Sequence, residues 1–198
     1  MNSDGTRIAI GAIYNDGNSS EAGHVRVYNY RVYTSDDVDN YHYTSRVYDI
    51  NTQNLPLIIT ENTSTPPIVG NSYWIQLGID IDAEASGNQS GLSVAMNSSG
   101  TRIAILVPYY NSNYSGHVRV YDYNNGSWNQ VGHYIDGNSD DSSSFVDLLP
   151  STIVMNSSGT IIGIGFPYND GNGTNTGHVS FYEYDDNLPE PEQEPEQE

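Results

Sequence analysis

The sequence has no cysteine and no lysine. Without cysteine there is no disulfide framework and no thiolate metal site, so the fold must rest on burial and backbone hydrogen bonding. Six arginines stand against 25 Asp and Glu, for a formal net charge of −19. Such a field repels phosphate backbones and anionic bilayer surfaces, which argues against nucleic acid and membrane partners and leaves cations and weakly charged sugars open. No stretch approaches the ~20 apolar residues of a membrane-spanning helix, so no membrane insertion is expected. The opening "MNSDGTR" has neither the basic start nor the apolar run of a signal peptide. A nucleophilic triad signature, a glycine-rich phosphate loop and a zinc motif are also missing.

What is present is repetition. Three segments align: "MNSDGTRIAIGAIYNDGNSSEAGHVRVYNY" (1–30), "MNSSGTRIAILVPYYNSNYSGHVRVYDY" (96–123) and "MNSSGTIIGIGFPYNDGNGTNTGHVSFYEY" (155–184). The second and third are preceded by related lead-ins that begin near Trp74 and Trp128. Self-similarity on this scale marks a tandem architecture in which neighbouring units bury one another's faces. Within a unit, "LSVAM" and "TRIAIL" are short aliphatic runs joined by "NSSG", or by "NSDG" with its hairpin-favouring Asp-Gly pair. "GHVRVYDY" alternates with period two, and "WNQVG" adds a fourth run. Helical periodicity is absent, and Gly, Asn, Asp and Ser punctuate throughout.

Four antiparallel strands per unit in tandem predict an all-β partial β-propeller of about three blades. A β-sandwich with a duplicated hairpin is the competing architecture. The expected organisation is one repeat region over 1–187, with units 1–30, 74–123 and 124–184. A loop is inserted at 31–73, with "RVY" and "LPLII" as a candidate hairpin and Pro66 and Pro67 unsuited to a central strand. Residues 188–198, "LPEPEQEPEQE", predict an extended, acidic, disordered tail. Small residues at Gly11, Ala12, Gly163 and Gly165 are expected to let blades approach closely.

The order "SG-LSVAMNSSGTRIAILVPYYNSNYSGHVRVYDY" resembles the FG-GAP repeat of integrin α-chain propellers and related extracellular proteins. Gly91 to Ala95 match its opening strand, "IGAI", "LVP" and "GFP" stand at the GAP triplet, and "GHVRVY" matches its close. The resemblance implies a propeller, an extracellular or surface setting and an adhesive or binding role. It also implies a calcium loop between the first two strands, where this chain has only a four-residue turn. Such a turn cannot supply the six to eight oxygens of a Ca²⁺ site, so that role is not carried over.

Candidate sites follow from the loops. Asp80, Asp82 and Glu84, and again Asp136, Asn138 and Asp140, place oxygen ligands at alternate positions, with Asn88 and Asp147 beyond them. Such spacing fits ordinary solvated turns or, as the alternative, a weak Ca²⁺ site, and no other cofactor is expected. His24, His117 and His178 recur once per unit, which spreads them around the repeat and suggests a structural contact to a carboxylate or backbone group. Tyr14, Asn15 and Asp16, then Tyr109, Tyr110 and Tyr114, then Tyr168, Asn169 and Asp170, set aromatic rings beside amides and carboxylates at equivalent edges. That chemistry suits a glycan or a protein surface, or merely caps strand ends. Sequons at Asn18, Asn62, Asn88, Asn97, Asn113, Asn125, Asn156 and Asn172 would be glycan acceptors in a secreted eukaryotic setting.

The expectation is therefore a non-enzymatic extracellular or surface module that binds a protein or glycan through its loops. A glycan-acting hydrolase using loop carboxylates, and a purely structural repeat, are the alternatives. Because Met1 aligns with Met96 and Met155, the first unit lacks the strand that "LSVA" supplies, and the third lacks the Trp strand. Exposed edges of this kind predict a homo-oligomer or a piece of a longer propeller.

Overall fold

The computed structural model describes residues 1–32, 34–35, 69–109, 116–136, 152–167, 173–174 and 176–184. These residues build an all-β structure of three antiparallel sheets, none of them closed. The first sheet contains β1 (Arg7–Ala12), β2 (His24–Val32), β3 (Ser72–Gln76) and β4 (Ile81–Asp82). The middle sheet contains β5 (Val94–Met96), β6 (Arg102–Val107), β7 (His117–Asn124), β8 (Ser127–Gln130) and β9 (Ile135–Asp136). The third contains β10 (Thr152–Met155), β11 (Ile161–Phe166) and β12 (His178–Glu183).

The strand counts differ from a uniform four because the fourth strand is broken. In the first sheet β3 pairs with Tyr28 to Val32 of β2, and β4 pairs with His24 and Val25 of the same strand. In the middle sheet β8 and β9 divide β7 in the same way. The interruption at 77–80 contains Gly78 at φ +79°, a conformation that favours glycine. Among the described residues, the first sheet has no counterpart of β5 and the third none of β8. The expected insertion is narrower than 31–73, since Arg31 and Val32 complete β2 and Ser72 and Tyr73 open β3. The candidate hairpin within it and the acidic tail lie outside the described residues.

The middle sheet is buried on both faces, and β6 shows how. Ile103 and Ile105 point into a cluster with Val25, Val27, Ile81 and Tyr121 against the first sheet. Ala104 and Leu106 point the other way, into a cluster with Val118, Val120, Ile153, Ile162, Ile164 and Phe166 against the third. This continuous apolar run is the pattern of a strand covered on both sides. Close approach decides the Gly11 position: a Cβ there would stand 2.0 Å from the Gly91 carbonyl oxygen. Gly163 and Gly165 do something else, lying beneath Phe181, Val154 and Thr152 of their own sheet.

The turns fasten sheet to sheet. Each NSxG segment is wider than a two-residue hairpin, closing with Asn97 N–H on the Arg102 carbonyl and Gly100 at φ +70°. The Asn97 side chain accepts from the Thr101 and Arg102 amides and donates to Thr101 Oγ1. Asn156 repeats the set, and Asn2 repeats most of it. Between units, Ser3 N–H and Oγ both donate to the Ser98 carbonyl, and Ser98 N–H and Oγ both donate to the Ser157 carbonyl. Arg7 likewise donates to the Gly100 carbonyl and lies over the Tyr123 ring, while Arg102 donates to the Gly159 carbonyl and lies over Tyr184. The four-residue NSxG turns thus hold a sheet-to-sheet ladder.

Candidate functional site

Two features stand at the join of the first and middle sheets: a loop platform carrying tyrosines and a buried polar corner beneath it. The platform begins where β1 ends. Asn15 N–H bonds to the Ala12 carbonyl, Gly23 N–H to the Asn15 carbonyl, Gly17 N–H to Asn15 Oδ1 and Glu21 N–H to Asp16 Oδ1. The amide and carboxylate of the predicted site therefore hold the loop's own backbone, Asn15 as an Asx turn and Asp16 by reaching five residues on to Glu21. Tyr14 projects from this frame with 66% of its surface exposed.

Segment 83–91, which follows β4 of the first sheet, then ties this loop to the middle sheet. Gly87 N–H and Ser86 Oγ donate to the Ser20 carbonyl, Gln89 N–H to Glu21, Ser90 N–H to Ala22, and Asn18 Nδ2 to Ala83. On its other side Asn88 Nδ2 donates to the Tyr109 carbonyl at 2.6 Å and Tyr109 N–H donates to the Asn88 carbonyl. Tyr14 and Tyr109, one past the end of β1 and one past the end of β6, are thereby joined through one hydrogen-bonded frame. Tyr110, Tyr114, Tyr168, Asn169 and Asp170 lie outside the described residues. Of the sequon asparagines, Asn88 and Asn97 are buried with their amides engaged, so neither presents its nitrogen to a glycosylating enzyme in this fold.

The polar corner is built by "GHVRVY". Period two places His117, Arg119 and Tyr121 on the side of β7 that faces the first sheet. Arg119 is buried and donates to the Asp82 carbonyl at 3.0 Å and to Ser90 Oγ at 3.2 Å. Its Nη1 stands 4.0 Å from Glu84 Oε1, and His117 Nε2 stands 3.9 Å from Glu84 Oε2. Tyr134 donates its hydroxyl proton to Glu84 and packs its ring on His117. Burial pushes the His117 imidazole down to about 4, with the Arg119 charge adding to the fall and Glu84 opposing it. In the first sheet the same pattern sets His24 3.7 Å from Asp80, whose carboxylate takes a bidentate pair of bonds from Arg26 and one from Gln76. Those bonds, the Arg26 pair first, hold the Asp80 carboxyl below its usual range. In the third sheet His178 stacks on Phe166.

The metal-spaced acids divide between these roles. Ligand atoms of His24, Asp80 and Asp82 lie within 4.8 Å of one another, so Asp80 and Asp82 are brought together. Glu84 stands outside that group and serves the neighbouring sheet. A cation at His24, Asp80 and Asp82 would compete with a guanidinium already paired to Asp80. Asp136 is the β9 neighbour of His117, and its carboxyl is pushed up by burial. Asn138 and Asp140 lie outside the described residues. Sequence reasoning missed Arg119 and Ser90, and it singled out Trp128 only as the start of a strand, not for its Nε1, which donates to the Leu77 carbonyl across the seam. The signal available for them was the recurrence of Arg two residues after His and of Trp at the start of each lead-in.

Compared with family models and with curated proteins, the sequence matches none. No helix among the described residues is long and apolar enough to cross a membrane.

Proposed function

We propose that the chain is a non-enzymatic binding module of the FG-GAP-like propeller type, working outside the cell or on a particle surface. Its three sheets act as stacked blades, and its edge loops recognise a neutral glycan or a basic protein surface. The observation that supports this best is the Tyr14 loop: an exposed aromatic ring on a backbone whose neighbouring polar groups are committed to holding it still. A ring fixed in place before binding loses little freedom on contact, and a tyrosine offers both an apolar face and a hydroxyl. The net charge of −19 favours basic or uncharged ligands over acidic ones. Within the described sheets, Asp80, Asp122 and Glu84 are bonded to Arg26, Arg102 and Tyr134, which is the use of carboxylates in a scaffold.

The test is binding of the full chain to a panel of neutral and acidic oligosaccharides and of immobilised basic and acidic proteins, repeated with Tyr14→Ala. The expected result is a neutral-glycan or basic-protein ligand whose affinity falls about tenfold on loss of the ring, with thermal melting unchanged. Binding that ignores Tyr14, a fall in melting temperature instead, or cleavage of an oligosaccharide would overturn the proposal, the last in favour of a hydrolase.

A further inference from the structure

The third sheet's outward face repeats the pattern that is buried elsewhere. By alignment of the units, Val179 and Phe181 stand where Val118 and Val120 stand in the middle sheet and Val25 and Val27 in the first. Those four valines are buried beneath the next sheet along. Val179 and Phe181, with Val154 beside them on β10, are instead 62%, 72% and 59% exposed. Contiguous apolar surface of this kind on a sheet face marks an interaction site.

The first sheet carries the complementary face. Ile8 and Ile10 align with Ile103 and Ile105 and with Ile162 and Ile164, the pairs that each later sheet inserts against its predecessor. Ile10 is 49% exposed. The turns complement one another too. Ser3 and Ser98 each donate N–H and Oγ to the serine carbonyl of the following unit. Ser157 occupies the donor position next in the series and Ser3 offers the carbonyl. At this one step the arginine of Arg7 and Arg102 is replaced by Ile161, and the ring it would cover is Tyr30, half-exposed on the first sheet. An aliphatic chain on a tyrosine face needs no charged partner and extends the apolar patch.

We propose that the outer face of the third sheet stacks on the outer face of the first sheet of a second copy of this chain. Ser157 then donates to the copy's Ser3 carbonyl, and Val179 and Phe181 pack against its Ile8 and Ile10. The contact is heterologous, so it leaves one free face of each kind and either closes into a ring or extends. Because each copy carries a charge of −19, added salt strengthens the association.

Sedimentation velocity on the full chain tests this with two face variants, each first checked for retained β-structure and a cooperative melt. Wild type should sediment as species larger than a monomer, increasingly so with concentration and salt. Phe181→Asp blocks one face and Ile10→Glu the other, so each alone should be a monomer, and an equimolar mixture should form a heterodimer through the two intact faces. Val179→Asp replaces Phe181→Asp if the latter fails to fold. A wild type that stays monomeric, a variant that still self-associates, or a mixture that stays monomeric would each overturn the proposal.

Discussion

Where the first and middle sheets meet, β7 sends His117 and Arg119 into the seam, and Glu84 comes from the other side to meet them. Where the middle and third sheets meet, the same repeat positions on β12 are His178 and Ser180; in the sequence the residue that aligns with Glu84 is Asn138, outside the described residues. The cation and the anion change together between two copies of one repeat. A buried charge is tolerable only while its partners are present, so a repeat can keep such a pair or lose it but gains nothing from half of it. The second seam closes on an apolar cluster centred on Leu106, Ile164 and Phe166.

The largest effect should come from breaking the pair. Arg119→Ala leaves the Asp82 carbonyl and Ser90 Oγ without their donor and Glu84 without the charge opposite it, and should cost about 3 kcal/mol, measured by urea unfolding. The double change Arg119→Ser with Glu84→Asn introduces the residues that the next copy of the repeat carries at these two positions in sequence, and should recover most of that loss. Equal destabilisation by the single and double variants would show that the two seams are not interchangeable solutions.

Acid should find the same difference. The His117 imidazole is lowered to about 4 in the fold, against an unfolded value near 6.5. The unfolded chain therefore takes up the proton first, and the contribution is whole above 6.5 and lost as pH falls towards 4. The loss amounts to about 3 kcal/mol at most. His117→Phe, which keeps a ring against Tyr134, should flatten the stability curve across that window. The paired Asp80 carboxylate contributes in the same direction at lower pH, since its stabilisation is lost as it protonates. An unchanged curve in His117→Phe would contradict the assignment.

The smallest expected effect is that of calcium. With Arg26 on Asp80 and Tyr134 on Glu84, millimolar Ca²⁺ against EDTA should leave the melting temperature where it is. A clear rise would show that a cation displaces the guanidinium at His24, Asp80 and Asp82.

Much of the fold was legible because it is local and repeated. The aliphatic runs at 102–107 and 161–166 and the alternation of 117–123 are where the strands form. The broken fourth strand was not legible, since a two-residue strand such as Ile81–Asp82 carries no periodicity of its own. Nor was the Arg119 corner, whose partners at 82, 84 and 90 come from another sheet. The serines of "NSSG" looked like turn filler because their use depends on the next unit being stacked at the right height. The alternate spacing of Asp80, Asp82 and Glu84 suggested convergence, but the end of β4 lets Glu84 turn to the neighbouring sheet.

That stacking is the central claim, and amide hydrogen exchange reads it most directly. Ser98 N–H is bonded to the Ser157 carbonyl at 3.0 Å and Ser3 N–H to the Ser98 carbonyl at 3.1 Å, while the adjacent Ser99 amide makes no such bond. The account predicts that Ser3 and Ser98 are protected although they sit in surface turns, and that Ser99 exchanges at the rate of an open loop. Ser3, Ser98 and Ser99 exchanging equally fast would mean three separate hairpin sheets and would contradict it.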